Sequence, residues 1–454
     1  MTATRRLFWG LVILETVLVL IFAALGKEYL LLGMGTLVLL LLPLAGRLSI
    51  VWAILIISPV VYLEGIPLGI IRAGKWIFVI LVVLLWLLSK AIQRKKIRLP
   101  EAKTRVLITA FLCWGAFISF HAIQPVISFA GLLKLVSIFG LFYLFSDMLR
   151  SRRDIRHTIL IWIGIGGILS ILGIYQYFNS WAHWGVGQRI WAAFENPNNL
   201  GIFLYLLIPI TFSLLLQPGK IIPRIVLGLC LVLFLLCLYW TGSRAAWVAT
   251  YVAFIALSII TRKKYLAGAL FLFGAILGIL LFRSLATGQL AALLRVGRGL
   301  SFRPILWGVS WRIFRHNPLF GVGFGCIPQV FQSYFPVSAL SLRSYLFPLA
   351  GSPHNLFFQT GAETGLPGVA FILGFFIVFY RDARGFYHRA THPLDRAIAA
   401  SFWATVIGLF AHAFFELSAL IGPGSYTVFF WLLVALFYAV RRRREALTAG
   451  WIPA

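Results

Sequence analysis

Apolar runs long enough, or nearly long enough, to cross a bilayer follow one another along almost the whole of this 454-residue chain. They are Leu7–Gly26, Tyr29–Ala45, Leu48–Tyr62, Trp76–Leu88, Val106–Ala122, Phe129–Met148, Thr158–Phe178, Leu200–Leu216, Ile221–Trp240, Ala245–Ile260, Tyr265–Phe282, Leu366–Tyr380, Ala397–Leu417 and Tyr426–Val440. A bilayer core takes about 20 residues of helix to span, and hydrocarbon leaves no water to satisfy an unpaired backbone. The fold class that follows is an all-α polytopic membrane protein. The second to fourth runs are short or poorly separated, so about 12–14 transmembrane helices are expected. The first run is too long for a signal-peptide core and lacks a small-x-small cleavage site, so it reads as an uncleaved first helix.

The net charge of +28 suggests nucleic acid as a partner until the basic residues are placed on the connections. Alternating the connections puts Arg5-Arg6, Arg47, Lys90 to Arg105, Arg150 to Arg156, Lys220 with Arg224, Arg262 to Lys264, Arg381 to Arg396 and Arg441 to Arg444 on one side. The short connections opposite are nearly all neutral. By the positive-inside rule both termini are cytoplasmic, the loops face anionic headgroups, and no nucleic acid is expected. The four cysteines form neither a CxxC pair nor a zinc-spaced cluster, and no metal or cofactor is expected.

Basic residues on the outer side need a separate reason. Arg283, Arg295, Arg298, Arg303, Arg312, Arg315 and Arg343 lie in the long interval between two apolar runs, and Arg72, Lys75, Lys134, Arg189 and Arg244 lie at or near outer helix ends. Arginine is the preferred bidentate partner of phosphate, so a polyanionic ligand at the outer face is expected. The interval Arg283–Gly365 is long and rich in Trp, Phe and Leu, which suits a folded cap. The organisation expected is 1–178 for N-terminal helices, 179–282 for central helices with Arg189 and Arg244, 283–365 for the outer catalytic loop, and 366–454 for C-terminal helices with a basic tail.

Within this frame, Asn198 or Asn199 is expected to cap the helix from Leu200, with Arg189 at its polar mouth. Ser243 is expected as the next cap, leaving Arg244 in a first turn where the helix dipole opposes a cation and a bound phosphate offsets it. Ser301 to Trp311 reads as an amphipathic helix starting near Pro304. Gly321-Val-Gly-Phe-Gly325 reads as a tight turn. Ser352-Pro-His-Asn suggests a helix capped by Ser352 with Pro353 at its first position, which puts His354 in the first turn as a neutral general base. Glu363 is expected to orient His354 or cap the break at Gly365. Glu416 and His412, one turn apart, are intramembrane ionisable groups, functional by default or paired with a loop arginine.

Taken in order, Arg189…Asn196-Pro-Asn, Ser243-Arg-Ala-Ala-Trp247, Arg303…Trp307…Asn317-Pro-Leu-Phe-Gly-Val-Gly-Phe-Gly325 and His354-Asn…Glu363-Thr-Gly365 resemble the O-antigen ligase/polymerase superfamily of bacterial envelope glycosyltransferases. The resemblance runs from about Gln188 to Glu416. It implies a GT-C-like helical enzyme of the bacterial inner membrane with a large periplasmic loop, metal-independent and without a cofactor. Its donor would be a glycan on undecaprenyl diphosphate. A ligase moves that glycan to a hydroxyl of lipid A-core, and a polymerase moves it to another lipid-linked repeat. Carried over by motif, Arg244 and Arg303 hold the diphosphate and His354 activates the acceptor. Arg298 is the alternative loop arginine, because Pro304 follows Arg303 directly. Arg189, Arg298, Asn355, Glu363, Glu416, Arg72 and Lys134 complete the expected substrate-binding set. A lipid-linked glycan flippase is the reading from another class. It calls for charged or broken helices at the midplane, whereas here only Lys134 is a basic residue well inside a span.

Overall fold

A computed structural model describes residues 68–184, 189–263, 303–336, 353–417, 419–421 and 426–448, with isolated positions near residues 51–58 and 265–272. Every regular element among the described residues is helical. The helices are α1 (Leu68–Ile92), α2 (Ala102–Phe120), α3 (Pro125–Met148), α4 (Arg152–Trp184), α5 (Pro197–Leu215), α6 (Ile221–Thr241), α7 (Arg244–Ile260), α8 (Arg303–His316), α9 (Ile327–Val330), α10 (Leu356–Arg389), α11 (Pro393–Ala413) and α12 (Tyr426–Thr448). Among the described residues seven are long and apolar enough to cross a membrane, which makes the chain an all-α polytopic membrane protein. Ten of the expected runs fall on helices; Leu7–Gly26, Tyr29–Ala45, Leu48–Tyr62 and Tyr265–Phe282 lie wholly or largely outside the described residues.

α5 is apolar all round, and a helix of that kind belongs in a core. Leu200, Ile202 to Leu207 and Ile210 are buried, and α4, α6, α7, α11 and α12 pack around them. α11 approaches α7 along a stripe of small residues, Ala245, Ala246, Ala249, Ala253 and Ala256. The approach is so close that a Cβ on Gly408 of α11 would lie 2.5 Å from the carbonyl of Ala249. Small residues that let backbones meet are the usual cement of membrane helices. Polar side chains inside this packing bond to backbone: Ser213 Oγ donates to the Ala397 carbonyl at 2.9 Å, and the Tyr205 hydroxyl donates to that of Thr405.

The two ends of the bundle differ. At one end, Arg441 of α12 pairs with Glu101 and, at 3.0 Å, with Asp382 of α10. Lys90 pairs with Asp147, and Arg152 with Asp395 at 2.9 Å. These are the basic connections of the sequence, tied to the few acids beside them.

At the other end, Asn317–Gly325 folds back on α10. Gly321, Gly323 and Gly325 all have positive φ. Val322 N–H donates to the Ala362 carbonyl and Gly323 N–H to that of Glu363, each at 2.9 Å. α10 itself breaks at Gly365 (φ 70°, ψ −170°), and Leu366 N–H donates to the Pro318 carbonyl at 2.8 Å. The short arm of α10 before Gly365 is thereby locked to the loop, and the start of that arm carries His354 and Asn355.

Candidate active site

Two helix starts expected from the sequence are displaced in the structure, and both shifts shape the site. α5 is capped by Asn196, whose side chain accepts from Asn199 N–H at 3.0 Å, with Pro197 at the first helical position. Neither Asn198 nor Asn199 is the cap. The Asn-Pro pair wins because proline needs no partner for its missing N–H there, and this releases the Asn198 side chain. α10 is capped by Asn355, which accepts from Phe358 N–H at 3.0 Å. His354 therefore precedes the helix instead of lying in its first turn, and its backbone is left-handed (φ 52°). The start of α7 is where the sequence puts it, with Ser243 at the cap position, although its side chain makes no capping bond.

The centre of the site is Glu416, just beyond the end of α11, with its side chain 7% exposed. Its Oε1 accepts from Arg303 Nη2 at 2.6 Å and from Asn198 Nδ2 at 2.8 Å. Its Oε2 meets His354 Nδ1 at 2.8 Å. Arg303 also donates through Nη1 to the Phe415 carbonyl at 2.7 Å. Asn198 Oδ1 in turn accepts from Arg189 Nη2 at 2.5 Å, and Arg189 Nε donates to the Thr241 carbonyl at 2.6 Å. Asn355 Nδ2 donates to the Phe414 carbonyl at 2.9 Å, which ties the start of α10 to the end of α11. A continuous chain of polar contacts thus runs from the α6–α7 turn through Arg189, Asn198 and Glu416 to His354 and Arg303.

Burial alone pushes the Glu416 carboxyl up. The hydrogen bond from His354, then the positive charge of Arg303, outweigh it and hold the group below the ordinary carboxylate value. An ionised Glu416 accepts only, so His354 donates to it through a protonated Nδ1. A strained backbone that persists under a specific side-chain bond is a common mark of a functional position. Arg244 opens α7 on the exposed surface and feels the positive charge of Arg303.

Other expected residues stand apart. The Glu363 carboxyl takes hydrogen bonds from Gln359 at 3.1 Å and from the backbone of Gly325, so it belongs to the turn that locks α10 and does not orient His354. Lys134 is on an exposed face of α3 between Leu133 and Val136. Arg72 lies in α1, with its side chain outside the description, and Arg298 is outside the described residues. Asn198 is the member that sequence reasoning treated only as a cap. The signal for its freedom was the adjacent Asn196-Pro197.

Residues 229–373 match the family model for O-antigen ligase. This match, over about a third of the chain, supports the resemblance to the O-antigen ligase/polymerase superfamily that the motifs carry. The matched span carries Arg244, Arg303, His354 and Asn355, while Arg189, Asn198 and Glu416 reach the site from outside it. The superfamily members are glycosyltransferase-type enzymes. No curated protein matches the chain.

Proposed function

We propose that this protein is an O-antigen ligase-type glycosyltransferase of that superfamily. It moves a glycan from undecaprenyl diphosphate to an acceptor hydroxyl, that of lipid A-core, at the periplasmic face of the bacterial inner membrane. The observation that carries the reading is Glu416 holding His354 by Nδ1 and Arg303 by Nη2, with Arg244 near enough to feel the charge of Arg303. A base and two permanent cations at one mouth are what displacement of a diphosphate from a sugar requires.

In the proposed step the acceptor oxygen attacks the anomeric carbon. His354 Nε2 takes the hydroxyl proton, and the resulting imidazolium is stabilised by Glu416. The bond from the anomeric carbon to the phosphate oxygen breaks, and its electron pair leaves on polyprenyl diphosphate. Arg244 and Arg303 meet the growing negative charge, a role in which preorganised donors act strongly. A single displacement inverts the anomeric centre. Arg189 and Asn198 hold Glu416 in place from the α5 side. Two guanidinium groups supply the neutralisation that a divalent ion supplies elsewhere, so the reaction is proposed to run without metal.

The test is transfer by purified protein from a polyprenyl-diphosphate-linked glycan, with and without EDTA. Turnover unchanged by EDTA supports the reading, and loss restored by magnesium or manganese overturns its electrostatic part. Deleting the gene in its host and analysing the surface glycan tests the acceptor. Loss of all attached polymer supports a ligase, whereas retention of single attached repeats assigns a polymerase.

A further inference from the structure

His412 lies one helical turn before Glu416 on α11 and is completely buried. Among the described residues neither of its ring nitrogens has a hydrogen-bond partner. Its ring lies flat against Tyr205, 5° from parallel and 6.3 Å between centroids. The Tyr205 hydroxyl is committed to the Thr405 carbonyl, so Tyr205 fixes the plane of the imidazole without satisfying it. The charged groups that act on His412 are Glu416 and Arg303. A buried polar side chain normally keeps at least one bond, and an orphan calls for a reason. If His412 only filled space, phenylalanine or leucine would fill it without burying two unsatisfied nitrogens.

The reason is found at Arg303. In this structure its guanidinium is bonded to Glu416 and to the Phe415 carbonyl. An anion that engages Arg303 competes with Glu416 for it. Glu416 is almost wholly buried, and a buried carboxylate that loses a cationic partner is strongly destabilised. Yet it must stay ionised and in place to hold His354. We propose that His412 is the reserve partner of Glu416, a positioning residue whose ring N–H takes over the carboxylate when an anion draws Arg303 away. The neutral imidazole suffices, since one of its nitrogens carries a proton in either tautomer. His412 and Glu416 are one turn apart across the end of α11, where Glu416 N–H donates to the His412 carbonyl at 3.0 Å, and no proton changes hands. The proposal rests on the reading of Arg303 as a diphosphate ligand.

The experiment compares the full-length protein with His412→Phe, His412→Leu and His412→Gln. Inorganic pyrophosphate is titrated calorimetrically, and transfer kinetics and thermal melting are measured on the same samples. The two apolar variants should melt at or above the wild-type temperature, because the orphan nitrogens are gone. They should bind pyrophosphate more weakly and turn over more slowly by on the order of tenfold, the lower end for one hydrogen bond to a charged group. His412→Gln, which keeps an N–H donor, should recover most of both. Equal affinity and turnover in wild type and the apolar variants would overturn the role of His412 alone. His412→Gln failing as badly as the apolar variants would also overturn it, and loss of fold in both apolar variants would make His412 a structural residue. If wild type does not bind pyrophosphate at all, the assignment of Arg303 fails and this proposal fails with it.

Discussion

Glu416 accepts from Arg303 and Asn198 through one oxygen and meets His354 through the other, so its loss is felt by three partners at once. Replacing it with alanine strands Arg303 and His354 together, and the expected cost is about 3 kcal/mol, the low end for breaking a buried ion pair. Glu416→Gln keeps the shape but not the charge. It should lower turnover by about 10²-fold, at the lower edge of the usual general-base range, because His354 loses the anion that sets its tautomer. The pH dependence has a definite sign. The folded carboxyl lies below the 4.5 of an ordinary glutamate, so its contribution to stability is fully present above about pH 4.5 and is lost as pH falls through the depressed value. Thermal melting from pH 6 to pH 3 should therefore fall more steeply for wild type than for Glu416→Gln. Parallel curves would mean that Glu416 does not carry its charge in the fold.

At the level of elements, the sequence made the helices legible and the caps only partly so. Apolar runs fix where α2 to α7 lie, because spanning length leaves little freedom. The helix starts depend on which of several neighbouring polar residues reaches back to a backbone N–H. In Asn196-Pro-Asn-Asn199 three asparagines compete, and Pro197 decides for the first. In Ser352-Pro-His-Asn355 the last residue wins, which moves His354 out of the helix and gives it a carboxylate partner. That partner, 62 positions away along the chain, is set by the packing of α10 on α11 and is invisible to local pattern. The break at Gly365 is the opposite case, since Thr-Gly-Leu-Pro marks it in the sequence. A Cβ at Gly365 would lie 2.1 Å from the Leu319 carbonyl oxygen, at a φ that favours glycine. Gly365→Ala should cost at least about 2 kcal/mol from backbone strain and overpacking. It should also reduce transfer, because the short arm of α10 that starts at Asn355 would shift. A melting temperature equal to wild type would show that the loop–helix lock does not carry the site.

The molecule as a whole is read as a bundle with a basic end and a reactive end. The ion pairs around Arg441, Lys90 and Arg152 are the structural counterpart of the basic connections, and the positive-inside rule makes that end the proposed cytoplasmic one. Single cysteines at Ser151 and Ser338 test the orientation. Membrane-impermeant reagent applied from outside should label position 338 and spare 151, and the reverse pattern would invert the topology. What the whole chain contributes is convergence: Arg189, Arg303, His354 and Glu416 lie far apart in sequence and are joined, through Asn198, by one chain of polar contacts. The most direct measurement is the turnover of purified His354→Ala with a polyprenyl-diphosphate-linked glycan, its fold verified by melting. The rate should fall by about 10²–10⁴-fold, the range for loss of a general base, with the melting temperature little changed. Near-wild-type turnover in the folded variant would contradict the role of His354 and leave the arginines acting alone.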